Sequence, residues 1–132
     1  MKKQIKVAAA IIENADNEIL CALRSPDMAM PNHWEFPGGK LEANEDCMKA
    51  VEREIQEELG CIIQFQHIFN ENTYEYEEFI VELITAKCTL ISGIPTANEH
   101  SKLIWLKREN LKSLIWAPAD LAAVEQLINE KI

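Results

Sequence analysis

The stretch REIQEELG (residues 53–60) places three carboxylates, Glu54, Glu57 and Glu58, within five positions, with Glu52 just ahead of them. On a helix Glu54 and Glu58 are i,i+4 neighbours, and Glu57 lies within a turn of both. Like charges at that spacing cost about 0.2–0.5 kcal/mol per pair. Near a helix C-terminus they also oppose the macrodipole. Local helix energetics therefore disfavour the arrangement. One explanation is a solvated acidic face, tempered by Arg53 pairing with Glu57 at i,i+4. The other is an oxygen-ligand site for Mg2+ or Mn2+, hard cations that take carboxylates and complete their shell with phosphate oxygens and water. Spacing alone does not choose between them.

The element carrying the cluster is a helix over residues 45–59. Met48, Val51, Ile55 and Leu59 recur at three and four residues and predict a buried stripe. Asn44 is the expected N-cap, Glu45 and Asp46 suit the first turn, and Gly60 is the expected stop. Ahead of the helix, residues 6–12 and 18–23 predict two strands joined as a hairpin through NADN. Residues 24–32, RSPDMAMPN, form a loop, 34–36 a short strand, and Pro37-Gly38-Gly39 a turn. Behind it, residues 61–69 and 74–90 predict longer strands, and 103–106 a short one. Residues 119–132 predict an amphipathic helix with Leu121, Val124, Leu127 and Ile128 apolar. The order predicts an α/β (α+β) fold, a sheet covered by helices.

The chain has 132 residues, 48% hydrophobic and 27% charged, which predicts one soluble domain spanning 1–132 with a genuine core. Its net charge of −9 argues against an electrostatic grip on a nucleic-acid polymer. A phosphorylated ligand would need positive charge supplied locally, and a divalent cation is the obvious source. The apolar run from Val7 to Ile12 is only six residues long and ends at Glu13, too short for a signal peptide or a membrane span. Cys21, Cys47, Cys61 and Cys88 form no CxxC pair and the histidines are scattered. That pattern predicts reduced thiols, no zinc site and a cytoplasmic protein. Oligomeric state is open between monomer and homodimer.

Wider context bears on the cluster. The chain runs Gly39, five residues, Glu45, seven residues, then Arg53-Glu54-Ile55-Gln56-Glu57-Glu58-Leu59-Gly60-Cys61. This segment resembles the Nudix box, GX5EX7REUXEEXGU with U aliphatic, at eight of its nine fixed or class-restricted positions, and at the last the small apolar Cys61 replaces the usual aliphatic. WEFPGGKLE (residues 34–42), the preceding Arg24-Ser25 and the later Trp116-Ala117-Pro118-Ala119-Asp120 are similar to the MutT-type branch of that family. The likeness covers nearly the whole chain. It implies a mixed β-sheet sandwiched between helices, with the box as a loop–helix–loop.

The same resemblance implies a metal-dependent enzyme, with Mg2+ as cofactor and Mn2+ as a substitute, that hydrolyses a nucleoside diphosphate linked to another moiety. Glu54, Glu57 and Glu58 would hold the metal, helped by the carbonyl of Gly39, and Arg53 would orient them. Glu45 would brace the loop–helix–loop or serve only as a first-turn charge, and Gly60 would be structural. Glu99, in TANEH, stands where the branch often carries a further catalytic, metal-binding glutamate; its alternative is a solvated loop residue. Bound metal polarises phosphoryl oxygens and acidifies water, with a glutamate of the cluster or a more distant one as base. Arg24 would reach a phosphate or the base, or be an ordinary strand-end arginine. Glu35 would join the metal or substrate shell or be structural, and Phe36, Gly38 and Lys40 belong to the substrate set. The implied reaction gives NMP and pyrophosphate from NTP, by attack of water on the β-phosphorus.

Asp120 bears on the base. The branch often has an asparagine near this point, which both donates and accepts. An ionised aspartate only accepts, and carboxylates characteristically accept from cytosine N4. This and the likeness of WAPAD to the CTP pyrophosphohydrolase form favour CTP, dCTP or a 5-substituted cytosine nucleotide. An 8-oxo-dGTP diphosphatase is the alternative, since a protonated aspartate can pair with 8-oxoguanine. A non-catalytic nucleotide-binding module is a remote one, because all the box glutamates are present. Asp120 could equally favour a helix N-terminus without any ligand. Phe79, Tyr74, Trp116 and Met28 could stack on a base or simply pack, Trp116 being favoured because it adjoins Asp120.

Overall fold

The computed structural model describes residues 2–130. Seven strands, β1 (Lys3–Glu13), β2 (Glu18–Leu23), β3 (Trp34–Glu35), β4 (Gly38–Lys40), β5 (Ile62–Glu75), β6 (Phe79–Ser92) and β7 (Lys102–Lys107), form one mixed sheet. Its spine is β3-β2-β1-β6-β5, with β4 pairing β1 and β7 pairing β2. Helix α1 (Cys47–Leu59) carries the glutamates, and α2 (Leu121–Ile128) follows two 3-10 turns, Arg108–Ser113 and Pro118–Asp120. No helix among the described residues is long and apolar enough to cross a membrane.

Strand alternation divides the core. Successive β1 side chains point to opposite faces. Ala8, Ala10 and Ile12 therefore pack with Val51, Ile55 and Leu59 of α1. Ala9 and Ile11 pack with Ala123, Val124 and Leu127 of α2. The sheet is thus sandwiched between helices, as the resemblance implied.

Several predicted elements differ in detail. The early hairpin is reduced to one β1–β2 pairing, Glu13↔Ile19, because β1 runs parallel to β6 along its length and β2 pairs instead with β7. The predicted break near residues 70–73 is absent, and β5 runs on to Glu75. Its turn-forming asparagines are used sideways: Asn70 Nδ2 donates to Gln126 Oε1 (2.8 Å) and Asn72 Nδ2 to the Ala119 carbonyl (3.0 Å), docking the α2 region on the sheet. The turn lies instead between Tyr76 and Phe79, closed by Tyr76 N–H on the Phe79 carbonyl (2.8 Å).

The N-cap of α1 is Asp46, whose Oδ1 accepts from Lys49 N–H at 2.9 Å; Asn44 sits in a left-handed turn two residues earlier. Gly60 ends α1 in the left-handed conformation, φ 68°, with its N–H on the Gln56 carbonyl. Met48 is 43% exposed, and the buried stripe is Cys47, Ala50, Val51, Ile55 and Leu59. The small Cys47 and Ala50 let the helix approach the sheet closely. At the C-terminus, α2 starts two residues later than expected and leaves Leu121 exposed. The expected end of that helix at Ile132 lies outside the described residues. Pro37-Gly38-Gly39 is not a tight turn: Gly38 and Gly39 lie extended in β4, opposite Ala9 and Ala8. All four cysteines are free and buried, and burial pushes the Cys21 and Cys88 thiols up to about 12.

Candidate active site

Arg53 organises the acidic cluster. Its Nε and Nη2 donate to the two oxygens of Glu45 at 2.7 and 2.9 Å, and its Nη1 to Glu54 Oε1 at 2.7 Å and Glu57 Oε2 at 3.2 Å. Nη2 also reaches the Lys40 carbonyl at 3.3 Å, tying α1 to β4. Such forked, charge-assisted contacts suit a planar guanidinium. Glu45 precedes the helix, so it is not a first-turn charge. Its Oε1 accepts from Glu42 N–H at 2.9 Å. The Arg53 hydrogen bonds, with that backbone N–H, hold its carboxyl down at about 2.

Glu58 is in a different environment. Its Oε1 is buried without a hydrogen-bond partner among the described residues. Burial, the Glu99 carboxyl within hydrogen-bonding reach, and the charges of Glu54, Glu99 and Glu35 push Glu58 up to about 9. Glu99 thus stands with the cluster although it lies on a loop some forty residues downstream. Gly39 leaves room beside Glu54: a β-carbon there would stand 2.5 Å from both Cδ and Oε2 of Glu54.

These residues fit a divalent cation. An orphaned buried carboxylate oxygen, like charges gathered around Glu58, and an all-oxygen donor set are what a hard cation relieves. Among the described residues no three acidic, imidazole or thiol groups form a ready-made triad. Arg53 draws Glu54 and Glu57 to itself, while Glu58 faces Glu99.

A cleft of about 470 Å³ takes in Glu58, Gly39 and Lys40 together with Arg24, Met28, Glu35, Phe36, Gly38, Phe79 and Asp120. Arg24 is braced by Glu35 Oε1 (2.7 Å) and the Ala29 carbonyl. The other Glu35 oxygen meets His100 Nε2 at 2.8 Å. Asp120 is buried, and its Oδ2 accepts from Phe36 N–H at 3.0 Å. It stands at the N-cap position of α2 but makes no side-chain capping bond there. Burial, then the charge of Glu35, push its carboxyl well above the usual range.

Trp116 and Tyr74 do not line this cleft. Trp116 is core: its ring lies 4.8 Å from Phe36, and its Nε1 donates to the Leu111 carbonyl at 2.7 Å. Sequence reasoning missed Tyr76, whose hydroxyl accepts from Ala119 N–H at 3.1 Å, and the wall of Ile5, Val7, Val81 and Leu83. The alternation Ile5-Val7-Ala9 and Phe79-Val81-Leu83 was the available signal for that wall. For His100 there was none.

Residues 8–126 match the NUDIX domain model. The chain belongs to the Nudix family. It is 33% identical over 125 residues to an 8-oxo-dGTP diphosphatase of Escherichia coli K12, covering 95% of this chain and 97% of the relative. It is 35% identical over 123 residues to a CTP pyrophosphohydrolase of the same organism, covering 93% and 90%. Among solved structures it resembles a MutT protein, family Nudix hydrolase, from methicillin-resistant Staphylococcus aureus 252, with TM-score 0.80, 46% identity and coverage of 99% and 100%. The chain is therefore a Nudix hydrolase, a nucleotide diphosphatase acting on phosphoric anhydride bonds. Nudix hydrolases generally use divalent metal ions. Its Nudix box runs from the Gly39 opening through Glu45 and the Arg53 fork to Glu58 and Gly60.

Proposed function

We propose that this Nudix hydrolase is a Mg2+-dependent nucleoside triphosphate pyrophosphohydrolase that releases NMP and pyrophosphate and prefers cytosine nucleotides. The observation that carries this reading is a single cleft holding both the Glu58 carboxyl and the buried Asp120 carboxyl. Glu54, Glu57, Glu58 and Glu99, with the Gly39 carbonyl, would hold Mg2+, and Mn2+ is a plausible chemical substitute. When bound, the ion supplies positive charge for the phosphoryl oxygens. Arg53 keeps Glu54 and Glu57 in register. Arg24, braced by Glu35, presents its guanidinium to substrate, and the aromatic faces of Phe79 and Tyr76 give the base an apolar wall. Glu99, on a loop outside the helix and beside Glu58, is placed to act as the base that takes a proton from attacking water.

Asp120 reads the base in this proposal, with one correction to the expectation of an ionised acceptor. Burial favours the neutral acid, which donates as well as accepts. Such a group accepts from cytosine N4 and donates to N3. It pairs equally with the N7–H and O6 of 8-oxoguanine. The same burial thus favours oxidised-guanine hydrolysis as a second reading.

A panel of CTP, dCTP, 5-methyl-dCTP, 8-oxo-dGTP and dGTP with Mg2+, followed by pyrophosphate release, tests both. Preference for 8-oxo-dGTP overturns the cytosine reading in favour of the second. Pyrophosphate from none of the five overturns both. Glu57→Gln, at a position 61% exposed and so tolerant of change, should abolish release while leaving the fold intact.

A further inference from the structure

Glu99 lies exposed on a loop without regular structure, where a carboxylate has no intrinsic reason to hold one position. Its two neighbours are anchored. On one side Asn98 Nδ2 donates to the Glu58 carbonyl at 3.0 Å, and Thr96 N–H to the Leu59 carbonyl at 2.9 Å. Both use acceptors left open at the end of α1. On the other side the His100 side chain is fully buried, and its Nε2 meets Glu35 Oε2 at 2.8 Å. Facing a carboxylate, that nitrogen carries the hydrogen. Ser101 N–H then closes the loop onto the Leu23 carbonyl at 2.9 Å.

The His100 ring is poorly explained by packing. Its Nδ1 is buried without a partner among the described residues, a cost an apolar side chain of like size would avoid. What the imidazole uniquely supplies is the bond to Glu35, whose other oxygen braces Arg24. Two of three consecutive residues are thereby anchored, Asn98 to the Glu58 backbone and His100 to Glu35 of the cleft, with Glu99 between them beside the Glu58 carboxyl.

We propose that Asn98 and His100 are positioning residues for Glu99, holding it against Glu58 and tying the hydrolytic cluster to the Glu35–Arg24 pair that braces the substrate cleft. This rests on the proposed role of Glu99 in metal binding and proton transfer. Neither residue lines the cleft, so each should act on turnover through Glu99 and not on affinity. Misplacing a catalytic group by about 1 Å costs up to about a hundredfold in rate.

The test uses the full chain with Mg2+ and whichever panel nucleotide it cleaves fastest. His100→Asn, too short to reach Glu35, should lower kcat about tenfold or more with KM within about twofold of wild type. His100→Gln, which sets an amide N–H near the place of Nε2, should recover kcat to within about threefold. Asn98→Ala, at an exposed position that folding tolerates, should give a similar kcat-only loss. In a Glu99→Gln background each substitution should cost no more than about twofold further, because its effect passes through Glu99. In metal-free protein, amide exchange over residues 97–100 should quicken about tenfold in His100→Asn and stay near wild type in His100→Gln.

Unchanged kcat, losses that multiply with Glu99→Gln, or His100→Gln as slow as His100→Asn would overturn the proposal. A wild-type protein releasing no pyrophosphate would instead overturn the functional reading. The exchange measurement, made without metal or nucleotide, would then still decide whether these residues hold the loop.

Discussion

Gly39 and Glu54 share a space too small for one more carbon: a β-carbon on Gly39 would lie 2.5 Å from the Glu54 carboxyl carbon. The obstructing atoms end a flexible side chain, so the conflict is resolved by moving the carboxylate and not the backbone. Gly39→Ala should therefore fold normally and lose about a hundredfold in kcat. Steady-state kinetics beside a thermal melt checks this.

The neighbouring glycine should behave oppositely. A β-carbon on Gly38 would stand 2.1 Å from the Ala8 carbonyl oxygen, where β4 pairs with the central strand, and the backbone has no cheap way to yield. Gly38→Ala should cost stability, by about 3 kcal/mol or more, as strain and overpacking in a core do. Urea denaturation measures it, and a melting temperature equal to that of Gly39→Ala would contradict the distinction.

Arg53 serves Glu45, Glu54 and Glu57 at once through a rigid fork. A lysine keeps the charge but delivers it at one point. Arg53→Lys should therefore lower kcat about tenfold to a hundredfold while binding nucleotide with nearly unchanged KM. A rise in KM with kcat preserved would show Arg53 acting on substrate directly.

Burial of Asp120 makes stability depend on pH in a definite sense. The folded protein retains a proton there above 3.8, the ordinary value at which the unfolded chain releases it. Through the window between 3.8 and the higher folded value the native state binds more protons, so this group's contribution falls as pH rises. Asparagine does not titrate and can still accept from Phe36 N–H. Asp120→Asn should thus gain stability over wild type as pH rises, by about 1.4 kcal/mol per pH unit within the window. Denaturation curves for both proteins from about pH 4 to pH 8 would show it, and a difference independent of pH would refute it.

Trp116 and Phe79 offer a contrast between core and cleft. Trp116→Phe removes the hydrogen bond to Leu111 and part of the packing on Phe36, and should lower stability by about 1–3 kcal/mol with KM unchanged. Phe79 lines the cleft, so Phe79→Ala should raise KM about tenfold, the scale of one lost base-stacking contact. Kinetics and melts on the pair separate the two roles.

The Nudix box was legible in the sequence because it is local. Gly39, Glu45, Arg53 and the glutamates lie on one stretch whose spacing survives folding unchanged. The cleft was much less so. Its wall depends on β1 lying parallel to β6, which brings Lys3–Glu13 against Phe79–Thr89, a pairing no local pattern announces. Asn70 and Asn72 read as turn residues because their amides suit turns, yet here the same amides reach across to Gln126 and Ala119. Trp116 invited a stacking role by its position beside Asp120, but adjacency in sequence did not place its ring in the cleft. Asp120 was legible as a residue of interest, but the burial that raises its proton affinity was not, since burial is a property of the fold.

The glutamate-bearing segment is continuous, whereas the cleft beside it is assembled from β1, the loop after β2, β6 and the turn before α2. The two meet at Gly39, Lys40 and Glu58, and the rest of the cleft lies outside the glutamate-bearing segment. Substitutions that reshape what is recognised can therefore accumulate on the walls without touching the hydrolytic apparatus. Chemistry is inherited as a block, and selectivity as loose parts. A family built this way can change its vocabulary of nucleotides while keeping its grammar.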